Sequence, residues 1–308
     1  MHRDLGRGLA VAAVVAAATL AGCATDTALN SPAAVRIDPQ LEAQAGAFES
    51  FMRGARGIEP TFSGPADVTH ALQTGAAYEP KQLEAGMVAF AAMAALQEPA
   101  FVAGVRRAAA DRKGGGDLSH KLAARPADAM TLPGAAAAAS RARAALFRQG
   151  SGLAEGGQKV KAASYSIQRQ SWAKASVPRP SARLTRVKSI SRVVYRPVGD
   201  DPARLRAAVS APGARSGGPS PVVARGVALA ALNVLGEGRS GAGLMSEPKT
   251  GMCVRLAKLN LYQCLASAGP YYEDIYCLGQ HAMIEPSQCV AGAAGAPPAP
   301  PAPAKRRG

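Results

Sequence analysis

Four cysteines crowded towards the end of the chain, Cys253, Cys264, Cys277 and Cys289, limit its fold more than any other feature of the sequence. Cys253 and Cys264 are eleven residues apart, about three helical turns, so a helix would present both sulfurs on one face. At about 1.5 Å of rise per residue they stand roughly 16 Å apart, beyond the ~7 Å Cα separation that a disulfide tolerates. Each must therefore find its partner on another segment. Gly269-Pro270 supplies a turn and a new helix start before Tyr272, Ile275 and Cys277. Only twelve residues separate Cys264 from Cys277, room enough to reverse the chain but too little for a crossover that returns parallel. The spacing thus predicts an antiparallel helical hairpin with Cys264–Cys277 as its inner bridge and Cys253–Cys289 as its outer one. Leu256 and Leu261 would turn towards Ile275 and Leu278 to form the seam, and Pro286 would place Cys289 beyond the second helix. In the chain-entropy view each bridge stabilises such a hairpin by roughly 3 to 4 kcal/mol.

This arrangement resembles the twin-cysteine helical hairpins of CHCH-type proteins in architecture, although the spacings depart from that family's nine-residue intervals. A rival reading puts Glu273, Cys277 and His281 at i, i+4 and i+8 of one helix face, as ligands for zinc or haem. The chain has no Cys-x-x-Cys, Cys-x-x-Cys-His or His-Glu-x-x-His pattern, and an oxidising compartment favours disulfides over thiolate ligands. No cofactor is expected. His281 reads as a helix-surface residue or as one at a helix C-terminus near the carbonyl end, and His70 and His120 have no ligand partner at useful spacing.

The compartment is suggested by the other end of the chain. Arg3 and Arg7 precede an uncharged stretch from Leu9 to Leu20, twelve residues where a membrane-crossing helix needs about 20. That is a signal-peptide pattern. Leu20-Ala21-Gly22-Cys23 resembles the lipobox of bacterial lipoproteins. The resemblance implies cleavage after Gly22, a diacylglyceryl group on the Cys23 thiol, and export to the cell envelope with a lipid anchor in the membrane. Ala24 in place of Asp implies, by the sorting habit of such lipoproteins, delivery to the outer membrane. With Cys23 lipidated, the remaining cysteines form an even set of four.

Between these ends the punctuation is helical. After the signal peptide (1–22) and a tether (23–38), Asp38-Pro39 reads as N-cap and first-turn proline, with Leu41, Ala45, Phe48 and Met52 on one face. Pro65, Pro80 and Pro99 open further helices, and Leu83, Met87, Phe90, Val88 and Ala91 make the third apolar on most sides. Residues 39–133, interrupted by Gly114-Gly115-Gly116, are assigned to one helical unit. Residues 134–210 read as a basic helical or partly disordered segment, where an alanine run favours helix but Gly150, Gly152, Gly156 and Gly157 dilute it, leaving one interrupted helix or two. Residues 211–220 look like a linker, and 221–290 like a helical module that begins with Val223, Val227, Ala230 and Val234, contains a second linker-like stretch at 236–249, and ends in the hairpin. The Pro/Ala-rich tail, 291–308, reads as disordered. The fold class is mainly α. Apolar residues are 48% of the chain but aromatics only 5%, so its cores must be built from closely packed small side chains.

Charge is distributed unevenly. Residues 23–100 carry 4 basic and 9 acidic side chains, whereas 101–226 carry 23 and 6, so the middle holds most of the net +15. No acid occurs between Glu155 and Asp200, a stretch containing Lys159, Lys161, Arg169, Lys174, Arg179, Arg183, Arg186, Lys188, Arg192 and Arg196. Such a segment attracts polyanions through counterion release and contacts to phosphate. In an envelope the candidates are lipopolysaccharide, peptidoglycan, anionic head groups and nucleic acid.

Catalytic patterns are sparse. No histidine lies beside a Gly-x-Ser-x-Gly or Ser-x-x-Lys motif, and no phosphate-binding glycine pattern follows a clear strand. Glu42, Glu49, Glu79 and Glu84 are carboxylates of the type a glycosidase uses, but no spacing pairs them. The sequence therefore points to a noncatalytic envelope interaction protein with a polyanion-binding middle and a protein partner for the C-terminal hairpin. The alternative is a peptidoglycan hydrolase or an accessory of a cell-wall enzyme.

Overall fold

Proline and the side chain before it start most of the helices. A computed structural model of the chain describes residues 35–111, 118–218 and 220–295. The expected signal peptide, Cys23, most of the tether, the Gly114–Gly116 break and most of the C-terminal tail lie outside the described residues. Helices α1 (Pro39–Arg56), α2 (Pro65–Gly75), α3 (Pro80–Ala95) and α4 (Pro99–Ala110) all begin on the predicted prolines. Proline suits that position because its fixed φ is helical and its missing N–H would have lacked an intrahelical acceptor anyway. Asp38 caps α1 by accepting from the Gln40 and Leu41 amides, and Glu79 caps α3 by accepting from Gln82. A short helix α5 (Leu118–Ala124) and a 3-10 turn, Pro126–Thr131, lead to α6 (Ala135–Ser166). Then come α7 (Ser171–Lys174), α8 (Pro180–Ile190), α9 (Asp201–Ser210), α10 (Pro221–Val234), α11 (Pro248–Ser267), α12 (Tyr271–Cys277) and α13 (Glu285–Ala293). Among the described residues there is no strand; an isolated bridge pairs Ser176 with Pro270.

The core is centred on α3, whose residues from Gly86 to Ala95 are all buried, with α1, α6, α10 and α11 packed around it. Small residues set the spacing. A Cβ added to Gly226 of α10 would meet the Ala91 Cβ at 2.7 Å, and one on Gly86 would meet the Gln44 carbonyl oxygen at 2.8 Å. With few aromatics to fill gaps, the helices approach until backbone meets side chain, which keeps packing dense. Helix α6 is unbroken for 32 residues, and its glycines are contact points: Gly150 lies against Ser287 and Val290, and Gly157 against Met283 and Ile284. Their helix-propensity cost of about 1 kcal/mol each is offset by docking the second hairpin arm. The stretch read as linker at 236–249 is instead partly ordered as a 3-10 helix, Gly238–Met245, which buries Leu244 and Met245. The 211–218 segment runs back along α6, where Arg148 donates to the Ala211 and Pro212 carbonyls and Arg143 to that of Gly218.

The C-terminal hairpin has the predicted connectivity. Cys264 is bonded to Cys277 and Cys253 to Cys289, each pair with Cα atoms 5.7 Å apart. Two details differ from expectation. Cys289 lies within the second arm, because a π segment, Leu278–Ile284, joins α12 to α13. A proline inside a helix loses one hydrogen bond and crowds the carbonyl four residues back, and the wider turns immediately before Pro286 let the helical run pass through it. The seam also differs: Leu261, Ile275 and Leu278 are fully buried, whereas Leu256 is 49% exposed on the opposite side of α11.

Candidate anion-binding surface

The acid-free middle spans the end of α6, helices α7 and α8, and the stretch leading to α9, and it is pinned from both sides. Gln82 of α3 and the backbone of Tyr195 exchange two hydrogen bonds, of 2.8 and 2.9 Å. Asp201 accepts from the Tyr195 hydroxyl, from the Val198 amide at 3.0 Å and from Arg53 at 2.7 Å. Burial opposes ionisation of Asp201, but these donors hold its carboxyl below the ordinary range. The basic residues are thereby carried on a fixed frame.

The ten predicted cations separate into three groups. Arg183, on the inner side of α8, donates to Asp274 of α12 and to the carbonyls of Leu265 and Ala268, and its side chain is 9% exposed. It is a structural ion pair and is withdrawn from the polyanion-binding set. Lys161 donates to Gln280 at 2.7 Å and lies 5.1 Å from the Tyr276 ring, and Lys188 lies 5.6 Å from the Tyr262 ring. Both are half-buried. Lys159, Arg169, Lys174, Arg179, Arg186, Arg192 and Arg196 are exposed and have no carboxylate partner among the described residues.

Two of these free cations, Arg179 and Arg186, border a cleft of about 320 Å³ between α2, α8 and α12, to which α2 contributes Thr69 and Gln73. Arg179 occupies the N-cap of α8 in the left-handed region, φ 50° and ψ 63°, a conformation that costs a non-glycine residue energy. Arg183 and Asp274 line the same cleft, and the buried Arg183 Nε–H has no acceptor among the described residues. Burial pushes the Asp274 carboxyl up to about 6, against the opposing pull of the guanidinium. Chemically, the cleft offers an anion the exposed guanidinium groups of Arg179 and Arg186.

Lys258 was not legible as a site residue. It is 3% exposed, and its Nζ donates to the Ala76 carbonyl at 2.9 Å and to Ser191 Oγ at 3.2 Å, beside the Tyr78 ring. Burial drives its ammonium well below the ordinary lysine range. Its sequence signal is a charge inside the apolar series Val254, Ala257, Leu261 and Leu265.

The carboxylates considered for hydrolysis have structural occupations. Glu49 pairs with Arg53, Glu42 with Arg206, Glu79 caps α3, and Glu84 accepts from Ser246 and the Glu247 amide. Cys277 is consumed by its disulfide, and His281 lies in the second arm, 2.7 Å from Glu285. Among the described residues no group of three potential ligands could hold a metal ion. Comparison with protein-family models, curated proteins and solved structures finds no match for this chain.

Proposed function

We propose that this protein is a noncatalytic envelope lipoprotein, anchored through acylated Cys23 in the outer membrane, whose basic middle binds anionic surface polymers such as lipopolysaccharide or peptidoglycan. The observation that carries the reading is the set of seven exposed cations without carboxylate partners among the described residues. A cation already paired gains little from a new anion, whereas a free one releases counterions from a polyanion when it binds. The cleft beside α8 gives two of them, Arg179 and Arg186, a concave surface on which a phosphate or carboxylate group can settle.

The full mature chain carrying Cys23→Ser tests the polymer reading without a lipid anchor. It should sediment with lipopolysaccharide and with peptidoglycan at low salt and lose both at high salt. Retention that ignores salt contradicts the mechanism, and release of soluble peptidoglycan fragments would transfer the assignment to a hydrolase. Metabolic labelling with a fatty acid tests the anchor separately: the wild-type chain takes the label and Cys23→Ser does not.

A further inference from the structure

Helix α11 is apolar on two opposite faces. Val254, Ala257, Leu261 and Leu265 point into the core and are at most 2% exposed. At about 100° per residue, Met252, Leu256 and Leu259 centre on the direction about 180° away. They are 53%, 49% and 47% exposed. A helix edge that faces water normally carries polar groups, and one that is apolar all round is normally covered. Three large side chains at i, i+4 and i+7 therefore form a ridge whose cover is a partner.

The charge around the ridge identifies the kind of partner. From Pro248 to Ser267, α11 has Lys249, Arg255 and Lys258 but no Asp or Glu. Lys258 is buried, which leaves Lys249 on one flank of the ridge and Arg255 on the other. Arg255 is 45% exposed, with Glu84 3.8 Å away, and Lys249 is exposed with no carboxylate partner among the described residues. Arg192 and Leu259 line one shallow cleft, and the stretch that follows Arg192 exposes Val193, Val194 and Val198, at 63%, 60% and 69%. A twofold pairing of α11 with a second copy would set these cations against one another. An apolar ridge with long basic side chains on its flanks is instead complementary to an anionic bilayer surface, where the leucines enter the head-group boundary and the cations stay at the phosphates.

We propose that the Met252–Leu256–Leu259 ridge of α11 is a membrane-contact face that seats the folded domain on anionic lipid, independently of any acyl chain at Cys23. The test is flotation of the full mature chain carrying Cys23→Ser with vesicles of phosphatidylcholine alone or mixed with phosphatidylglycerol. Binding should require phosphatidylglycerol. The triple variant Met252→Gln, Leu256→Gln and Leu259→Gln keeps helix propensity and removes only exposed apolar surface, so it should retain both disulfides and its circular dichroism while vesicle partitioning falls at least tenfold. Its binding to a short duplex DNA, used as a soluble polyanion, should stay within twofold of the parent. Triple-variant partitioning equal to that of the parent would overturn the proposal. So would failure of the parent to bind either vesicle, or a concentration-dependent dimer that the triple substitution abolishes.

Discussion

The cations in and around α8 use the same residue types for opposite purposes. Arg183 meets a buried carboxylate and two helix-end carbonyls, and close by Lys258 satisfies the Ala76 carbonyl and Ser191 with no carboxylate partner among the described residues. Arg179, Arg186 and Arg192 instead face solvent with no carboxylate partner among the described residues. A run of positive charge in a sequence therefore holds two populations, and they should respond to substitution in opposite ways. Inner cations should change stability and leave polyanion affinity alone; outer ones should do the reverse.

The largest effect is expected at Arg183. Arg183→Leu leaves Asp274 buried without its partner and strips two carbonyls of a donor, costing about 3–5 kcal/mol in urea denaturation at pH 7.5. The loss should shrink below pH 6, where Asp274 becomes neutral. A loss under about 1 kcal/mol would place Arg183 with the outer group.

Asp274 itself should give a smaller effect with a defined sign. Its folded pKa of about 6 exceeds the ordinary 3.8, so between those values the native state holds more protons than the unfolded chain. Its contribution is present in acid and declines as pH rises through 6, by an amount of order 3 kcal/mol at most. Asp274→Asn should remove that decline from the stability-against-pH profile, and an unchanged profile would show that the ion pair keeps the carboxyl ionised throughout.

Lys258→Met should cost no more than about 1 kcal/mol, since a buried charged group exchanged for an apolar one of similar volume is often close to neutral and Ser191 still donates to Ala76. The lysine's folded pKa is depressed, so the native state sheds its proton first and stability should rise with pH until the ordinary lysine range is reached. The methionine variant should flatten that alkaline rise. Smallest of all are the stability changes expected from Arg179→Ala, Arg186→Ala, Arg192→Ala or Arg196→Ala, each within about 0.5 kcal/mol as exposed, unpaired positions.

Local chemistry made much of this legible. The prolines at 39, 65, 80 and 99, with Asp38 before the first, marked helix starts because capping is decided within four residues. The disulfide connectivity followed because eleven- and twelve-residue intervals leave few geometries open. Tertiary properties stayed hidden. Whether Gly157 breaks a helix or admits a neighbour depends on Ile284, more than a hundred residues away, and whether Leu256 faces the seam or the solvent depends on which side of α11 meets α3 and α13. The spacing could not separate Arg183 from Arg186, because only the fold places Asp274 beside one of them.

The division between inner and outer cations is tested most directly by the salt dependence of binding to a short duplex DNA. Each phosphate contact contributes about 0.9 to the slope of log K against log salt. The variant with Arg179, Arg186, Arg192 and Arg196 all replaced by Ala should unfold at the same urea concentration as the parent, bind more weakly at low salt, and show a slope shallower by up to about 3.6. An unchanged slope and affinity in that folded variant would contradict the account.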